Sequence, residues 1–161
     1  MVKIGMTDNT LVFRHFGDYM GAELNVSLLE VFAMLSVQQV CSLEFVIADC
    51  SRVTSVSMQD SDRAAYSVFQ RKMSQVFKDK GLKVVEELKR VDAVFIDSEV
   101  PAIARLQHER RFRQASEYEQ QKIMRHFPSV EAALEGIGRR DLDLDSIEYH
   151  DLDKFRALLS R

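Results

Sequence analysis

The chain contains few of the residue types that indicate a specialised scaffold or site. Its 161 residues include no tryptophan, two prolines, two cysteines and six scattered glycines. Scattered glycines form neither a glycine-rich phosphate loop nor a nucleophile elbow. A strand between Cys41 and Cys50 would extend by about 3.3 Å per residue and hold the two thiols too far apart for a disulfide. We interpret both as small buried apolar residues, with Cys50 the better candidate if either is reactive.

Charge and hydropathy exclude further classes. The formal net charge of −3 gives no overall basic field, so we expect no nucleic-acid partner. No apolar run approaches the roughly 20 residues of a membrane-spanning helix, so we expect no integral membrane segment. The first residues contain neither a long apolar region nor a small-residue cleavage site, and we expect a cytoplasmic location.

The sequence contains no recognisable catalytic or metal-binding pattern. The four histidines, at positions 15, 108, 126 and 150, show no metal-ligand spacing with one another or with the cysteines. No nucleophile is paired with a base in a familiar motif. The sequence therefore predicts no cofactor, no metal and no catalytic residue, and we expect that the protein is not an enzyme.

What the chain does contain is an alternation of strand and helix patterns. Asp8 and Asn9 supply turn chemistry between two short strands, which predicts an N-terminal hairpin over 2–6 and 10–16. The other predicted strands cover 43–49, 91–97 and 122–127, and the predicted helices cover 22–37, 62–79, 99–115 and 130–137. Residues 80–90 either end a helix at Gly81 or continue it. This order predicts an α/β fold with a mixed, mostly parallel β-sheet covered by helices.

The predicted helix 22–37 is apolar on two sides. One stripe consists of Leu24, Leu28, Val31, Phe32 and Leu35, at the spacing of a core-facing surface. A second group consists of Val26, Leu29, Ala33 and Val37. That group either touches a neighbouring element of the same chain or forms a surface for a homodimer or a ligand.

The last part of the chain differs in composition from the rest. We predict a domain over 1–138 and an acidic C-terminal extension over 139–161 that docks on it. The apolar residues expected to make the contact are Leu142, Leu144, Ile147, Leu152, Phe155 and Leu158.

Two groups of charged residues are candidates for a binding surface. Asp49 and Asp97 follow predicted strands, and ligands favour the carboxyl edge of an open α/β sheet, although turn and capping roles are common there. The basic half of the predicted helix 99–115 carries Arg105, His108, Arg110 and Arg111. This surface is either simply solvated or a docking site for an acidic partner, for which the chain's own acidic extension is a candidate.

Four stretches of sequence, in their order and spacing, resemble one known family. They are Lys3-Ile-Gly-Met6 with Leu11-Val-Phe-Arg-His-Phe-Gly17, then Val46-Ile-Ala-Asp49, then Val91-Asp-Ala-Val-Phe-Ile-Asp97 with Leu106-Gln-His-Glu-Arg-Arg-Phe112, and finally His126-Phe-Pro-Ser-Val-Glu-Ala-Ala-Leu134. Over residues 2–137 the chain resembles the SpoIIAA-like branch of the STAS family, in its uncharacterised bacterial members. The resemblance implies a sheet of the SpoIIAA/STAS type and a regulatory role without catalysis.

The same resemblance implies a regulatory serine that this chain lacks. Regulatory members carry a phosphorylatable serine in the loop after the central strand, where a helix N-terminus favours a phosphate. Here Met58 occupies that position, between Ser57 and Asp60, and no glycine follows. We interpret Ser57 as a helix cap and the junction as a binding surface, if it is a site, that works without phosphorylation.

The sequence thus predicts a cytoplasmic STAS-like interaction module that binds a protein partner or self-associates through helix 22–37. The alternative is a carrier or sensor of a small apolar or lipid-like ligand, because SpoIIAA-like proteins resemble lipid-binding CRAL-TRIO domains in fold. Leu24, Phe32, Phe69 and Met73 would line its pocket. An enzyme of unknown type is third. The candidate partner or ligand surface comprises Asp49, Ser57, Met58, Asp60, Asp97, Arg105, His108, Arg110 and Arg111.

Overall fold

The computed structural model describes residues 1–57, 60–98 and 125–161. Within these ranges the elements are β1 (Val2–Met6), β2 (Thr10–Tyr19), α1 (Gly21–Met34), α2 (Val37–Ser42), β3 (Phe45–Val56), α3 (Asp60–Asp79), α4 (Val84–Arg90), β4 (Asp92–Ile96), β5 (Arg125–Phe127), α5 (Val130–Gly136) and α6 (Leu152–Leu159). The predicted helix 99–115 lies outside the described residues. The prediction of an α/β chain is confirmed.

The five strands form one mixed sheet in the order β1-β2-β3-β4-β5. The β1–β2 pair is antiparallel, and the other three pairs are parallel. This confirms the predicted hairpin and the mostly parallel sheet. The hairpin turn also fixes the start of β3, because the carbonyl oxygen of Asn9 accepts hydrogen bonds from the amides of Glu44 and Phe45.

The two faces of the sheet bury different sets of side chains, since successive residues of a strand point in opposite directions. One face packs against α1 and α3; its buried residues include Ile4, Leu11, Phe13, Phe95, Val31 and Phe77. The other face packs against α5 and the C-terminal extension; its buried residues include Val12, Ile47, Val94, Ile96, Leu134 and Leu144. The groove described below lies on this second face.

The predicted helix 22–37 is two helices. α1 ends at Met34, Leu35 is extended, and Ser36 begins α2 with a capping box. The Ser36 hydroxyl accepts from the Gln39 amide at 3.1 Å, and the Gln39 side chain accepts from the Ser36 amide at 2.8 Å. The predicted core stripe is buried at Leu24, Val31, Phe32 and Leu35, and the second apolar group leaves Val26, Ala33 and Val37 exposed.

β3 is longer than the prediction. It begins at Phe45 and runs to Val56, seven residues past Asp49. Asp49 therefore lies in the middle of a strand, and its predicted position at a strand end is wrong. The physical reason is that a cation on β2 neutralises this carboxylate, so the strand continues through it.

Residues 80–90, which the sequence left open, form a turn and a separate helix. α3 ends at Asp79, Gly81 has a φ of 71°, and α4 starts at Val84. A left-handed glycine ends α3 because other residues adopt this backbone rarely. Cys41 and Cys50 are both free, and Cys41 is exposed rather than buried as predicted.

Residues 139–161 cross the second face, reach the edge of β1 and return to the first face. The amide of Ile4 donates to the carbonyl of His150 at 2.7 Å, and the amide of His150 donates to the carbonyl of Ile4 at 2.9 Å. Leu144 and Phe155 are buried, whereas Leu158 is exposed and does not make the contact predicted for it. The division into a domain over 1–138 and an extension over 139–161 stays a prediction.

Candidate interaction groove

A groove of about 810 Å³ opens beyond the carboxyl ends of β4 and β5. Its walls are the second half of β3, the residues that follow β4 and β5, the start of α5 and the C-terminal extension. The lining residues include Arg14, Arg52, Thr54, Asp97, Ser98, Ser129, Glu131, Leu134, Asp143, Leu144 and Asp145. An apolar floor with a charged rim is the usual composition of a binding surface for a peptide or a small molecule.

A buried ion pair lies under one end of the groove. Arg14 on β2 is the register partner of Asp49 on β3, and its Nε atom lies 2.7 Å from Asp49 Oδ2. The Arg14 side chain is 6% exposed and that of Asp49 is 0% exposed. The second carboxylate oxygen of Asp49 accepts from the Ser51 amide at 2.9 Å. Asp49 thus has a partner for each oxygen, which offsets the cost of burying its charge.

Asp145, from the C-terminal extension, completes a network of four charges. Its Oδ1 atom lies 2.7 Å from Arg14 Nη1, and both carboxylate oxygens lie 3.4 Å from Arg52 Nη2. The hydrogen bond from Arg14, with the positive charge that carries it, lowers the pKa of Asp145 below its usual 3.8. Two arginines and two aspartates give the network a net charge of zero.

A tight turn presents Asp145 to the groove. The Asp143 side chain accepts from the Asp145 amide at 2.9 Å, and the Asp143 carbonyl accepts from the Ser146 hydroxyl at 2.8 Å. Leu144, between the two acids, is buried and anchors the turn. We refer to residues 143–146 as the acidic turn.

Tyr149 adds an aromatic contact to the charge network. Its ring lies 4.7 Å from the Arg14 guanidinium carbon, a cation–π contact, and its hydroxyl donates to the Leu144 carbonyl at 2.9 Å. Burial raises the pKa of Tyr149 well above its usual 10.0, more than Arg14 lowers it. The hydroxyl therefore stays protonated and continues to donate.

The structure separates the candidate residues predicted from sequence. Asp97 follows β4 and lines the groove, and Asp49 lies beneath it as the partner of Arg14. Met58, Arg105, His108, Arg110 and Arg111 lie outside the described residues, as does the side chain of Asp60. The role of this set as a partner or ligand surface stays a prediction.

The described part of α3 begins at Asp60, and the role of Ser57 as a helix cap stays a prediction. Ser57 is exposed and hydrogen bonds to Asp18, and this bond together with that from Ser55 lowers the pKa of the Asp18 carboxyl.

Sequence reasoning missed Arg14, Arg52, Asp145 and Tyr149. The sequence did contain a signal for Arg14, because this residue lies inside an apolar strand pattern and Asp49 lies inside another. Charged residues are seldom buried unless they are paired. Two opposite charges in two neighbouring apolar strands therefore predict a buried ion pair.

Other polar side chains near the groove do not form a metal site. His126 Nδ1 lies 3.8 Å from Asp97 Oδ1, and its ring stacks on Phe95 with centroids 5.3 Å apart. In the part of the chain that the structure describes, no three His, Cys, Asp or Glu residues cluster closely enough to hold a metal ion. None of the described helices has the length and apolarity needed to cross a membrane.

The residues proposed to line an apolar ligand pocket do not line this groove. Leu24 and Phe32 are buried in the core under α1, where the Phe32 ring lies 5.4 Å from that of Phe77. Met73 packs against the same core. An apolar ligand stays a prediction, which native mass spectrometry of the purified protein would test.

Comparisons with known proteins give a similarity in structure. No protein-family model matches the sequence, and no curated protein matches it. A solved structure described as the anti-sigma factor antagonist SpoIIAA in its unphosphorylated form aligns with 86% of this chain and 96% of its own. The sequence identity is 15% and the TM-score is 0.39. A similarity this low assigns neither a family nor a function to the chain.

Proposed function

We propose that the protein is a non-enzymatic, cytoplasmic interaction module of STAS-like type that binds a segment of a partner protein in the groove. The observation that carries this proposal is that a stretch of polypeptide already packs against the groove through one buried leucine and one paired carboxylate, Leu144 and Asp145. The sequence resemblance to SpoIIAA-like proteins supports the same function. The module would work without the family's phosphorylated serine, because Met58 stands at that position.

The groove has the chemistry that peptide recognition requires. Leu134, Leu142 and Val130 offer apolar surface, and arginine and acidic side chains surround it. Binding energy in such interfaces comes from a few anchoring side chains in desolvated pockets, with charges at the rim that select the partner. A short peptide with one apolar and one charged anchor meets these conditions.

A groove-filling substitution tests the proposal. Thr54 is exposed and lines the groove, so Thr54→Trp places a large ring inside it. Gln38→Trp, at an exposed position of α2 outside the groove, is the matched control. We expect a partner cross-linked and captured from the source cells by the intact chain and by Gln38→Trp, and lost with Thr54→Trp. Equal capture by all three folded proteins would contradict the proposal.

Exposed apolar residues of α1 and α2 support self-association as a second function. Val26 is 51% exposed and Val37 is 44% exposed, with exposed Ala33 between them. Exposed apolar residues that form a common patch are typical of protein interfaces. A stable homodimer would bury on the order of 800 Å² on each chain.

Light scattering at tens of micromolar tests this second function. We expect a dimer for the intact chain, a monomer for Val26→Glu, and a dimer for the control Val68→Glu, whose side chain is exposed on α3. A strict monomer for the intact chain would rule out the dimer.

A further inference from the structure

Asp145 occupies the place that the carboxylate of a bound ligand would occupy. Its two oxygens lie between the guanidinium of Arg14, which points into the groove from a buried position, and that of Arg52 on the opposite side. Arginine guanidiniums are well suited to binding carboxylates because their N–H groups match both oxygens of the acid. The pair of arginines therefore forms a carboxylate site, and the chain's own extension fills it.

If the acidic turn moved away, the two arginines would differ in the ion pairs that they keep. Arg14 keeps Asp49 as its counterion, because that pair is built into the sheet. Among the described residues, Arg52 forms an ion pair with Asp145 alone, and it would then be available to pair with another carboxylate. The open groove would therefore accept one carboxylate at this point.

The exposed fractions of the four side chains indicate which ion pair of the network a competing ligand can replace. Arg14 and Asp49 are buried, whereas the Asp145 side chain is 64% exposed and that of Arg52 is 55% exposed. The two exposed members lie at the rim, where a competing carboxylate can approach from solvent. Leu144 is the apolar anchor that a competitor must also replace.

We propose that the acidic turn is an internal competitor for the part of the groove at Arg14 and Arg52, and that the partner presents a segment of the same chemistry, an aliphatic residue followed directly by Asp or Glu. This inference rests on the proposed function of the groove. In the exchange, the partner's aliphatic side chain replaces Leu144 and its carboxylate replaces Asp145, so burial and ion pairing are conserved. The turn lowers the apparent affinity of the partner by the fraction of molecules in which it is undocked.

Gly5 offers a way to loosen the turn without changing the groove. A Cβ atom at this position of β1 would lie 2.6 Å from Ile147 Cγ2 and 3.0 Å from two atoms of the Tyr149 ring. Gly5→Ala therefore pushes away the residues that hold the acidic turn from its C-terminal side. Arg14 and Arg52 are not substituted, although movement of Tyr149 also changes its ring contact with Arg14.

The experiment measures binding of a fluorescent peptide with the sequence of residues 139–149 to the full-length chain by anisotropy. We expect Gly5→Ala to bind the peptide about tenfold more tightly than the intact chain, since its own turn competes less. A peptide with Asn in place of Asp145 should bind about tenfold more weakly, because a charge-assisted hydrogen bond is lost. Arg52→Gln added to Gly5→Ala should weaken binding of the acidic peptide and reduce its advantage over the Asn peptide, while Arg14 still pairs with the carboxylate.

Equal affinities of the intact and Gly5→Ala chains, or of the acidic and Asn peptides, would overturn the inference. If circular dichroism shows that Gly5→Ala does not fold, Ile147→Ala loosens the turn instead. The two proposals fail separately. If Thr54→Trp loses the captured partner but the peptide does not bind selectively, only the proposal that the acidic turn competes is refuted. Selective peptide binding with capture indifferent to Thr54→Trp refutes the proposed function of the groove and upholds the contact.

Discussion

Arg14 and Asp49 form a buried ion pair on the second face of the sheet. Both are buried, and each would be costly without the other because a charge taken out of water must be compensated. Asp145 and the ring of Tyr149 add two further contacts to Arg14 from the C-terminal extension. One arginine therefore joins β2, β3 and the extension.

Asp49→Asn should lower the free energy of unfolding by about 3 kcal/mol, the low end for breaking a buried ion pair, because Arg14 keeps Asp145 as a counterion. Urea denaturation measures this change. The control is Asp153→Asn, which removes an exposed ion pair with Arg156 and should cost less than about 0.5 kcal/mol. Similar losses for the two variants would show that the buried pair contributes little.

At the scale of single residues, the sequence predicted burial better than pairing. Leu24, Val31, Phe32 and Leu35 are buried as their helical spacing indicated. Arg14 and Asp145 are 131 positions apart, and no local pattern relates residues at that separation. Pairing of this kind depends on the register of the strands and on the path of the extension, which the sequence alone did not provide.

Among the elements, the break between α1 and α2 has a signal in the sequence, but the long apolar pattern that runs through it concealed that signal. Ser36-Val-Gln-Gln39 has the spacing of a capping box, yet the apolar pattern continues through it as if one helix ran to 37. Lys80 secures the break from outside by donating to the carbonyls of Ala33 and Leu35, at the end of α1. The length of β3 was underestimated because the charged Asp49 was interpreted as the end of the strand.

Ser36→Ala should destabilise the protein by about 1 kcal/mol, the usual cost of losing an N-cap side chain. Chemical denaturation measures this loss. The control is Ser42→Ala in the same helix, because the Ser42 hydroxyl donates to the Gln39 carbonyl and caps no amide. An equal effect of both substitutions would mean that the capping box is not what separates α1 from α2.

Docking of the acidic turn should weaken in acid. The pKa of Asp145 is lowered in the docked state, so its contribution is present above the usual value of 3.8 and is lost as the pH falls through the lowered value. We expect the protection factor of the His150 amide, which bonds to Ile4, to fall below about pH 4. Asp145→Asn should show weaker protection at neutral pH and a smaller fall. The same fall in both proteins would assign the effect to another carboxylate.

Across the whole molecule, the C-terminal extension covers the outer edge of the sheet. β1 is the end strand, and its backbone at Ile4 pairs with His150. Uncovered edge strands pair readily with other chains, and proteins commonly cover them with a loop or a helix. The extension therefore contributes to keeping the molecule from associating through β1.

Removal of residues 139–161 should lower the free energy of unfolding by at least about 3 kcal/mol, since burial of Leu144 and Phe155 is lost. We also expect concentration-dependent association through β1, measured by light scattering. An unchanged stability would favour the predicted division into a self-sufficient domain over 1–138 and an appended extension.

The pairing of Ile4 with His150 also bears on the order in which contacts form during folding. The two residues are separated by nearly the whole chain, and contacts at such separation form late, after the entropy of closing a long loop has been lost. On the ribosome, β1 and β2 emerge long before the segment that seals them. During synthesis the growing polypeptide therefore presents an open strand edge until this segment has emerged.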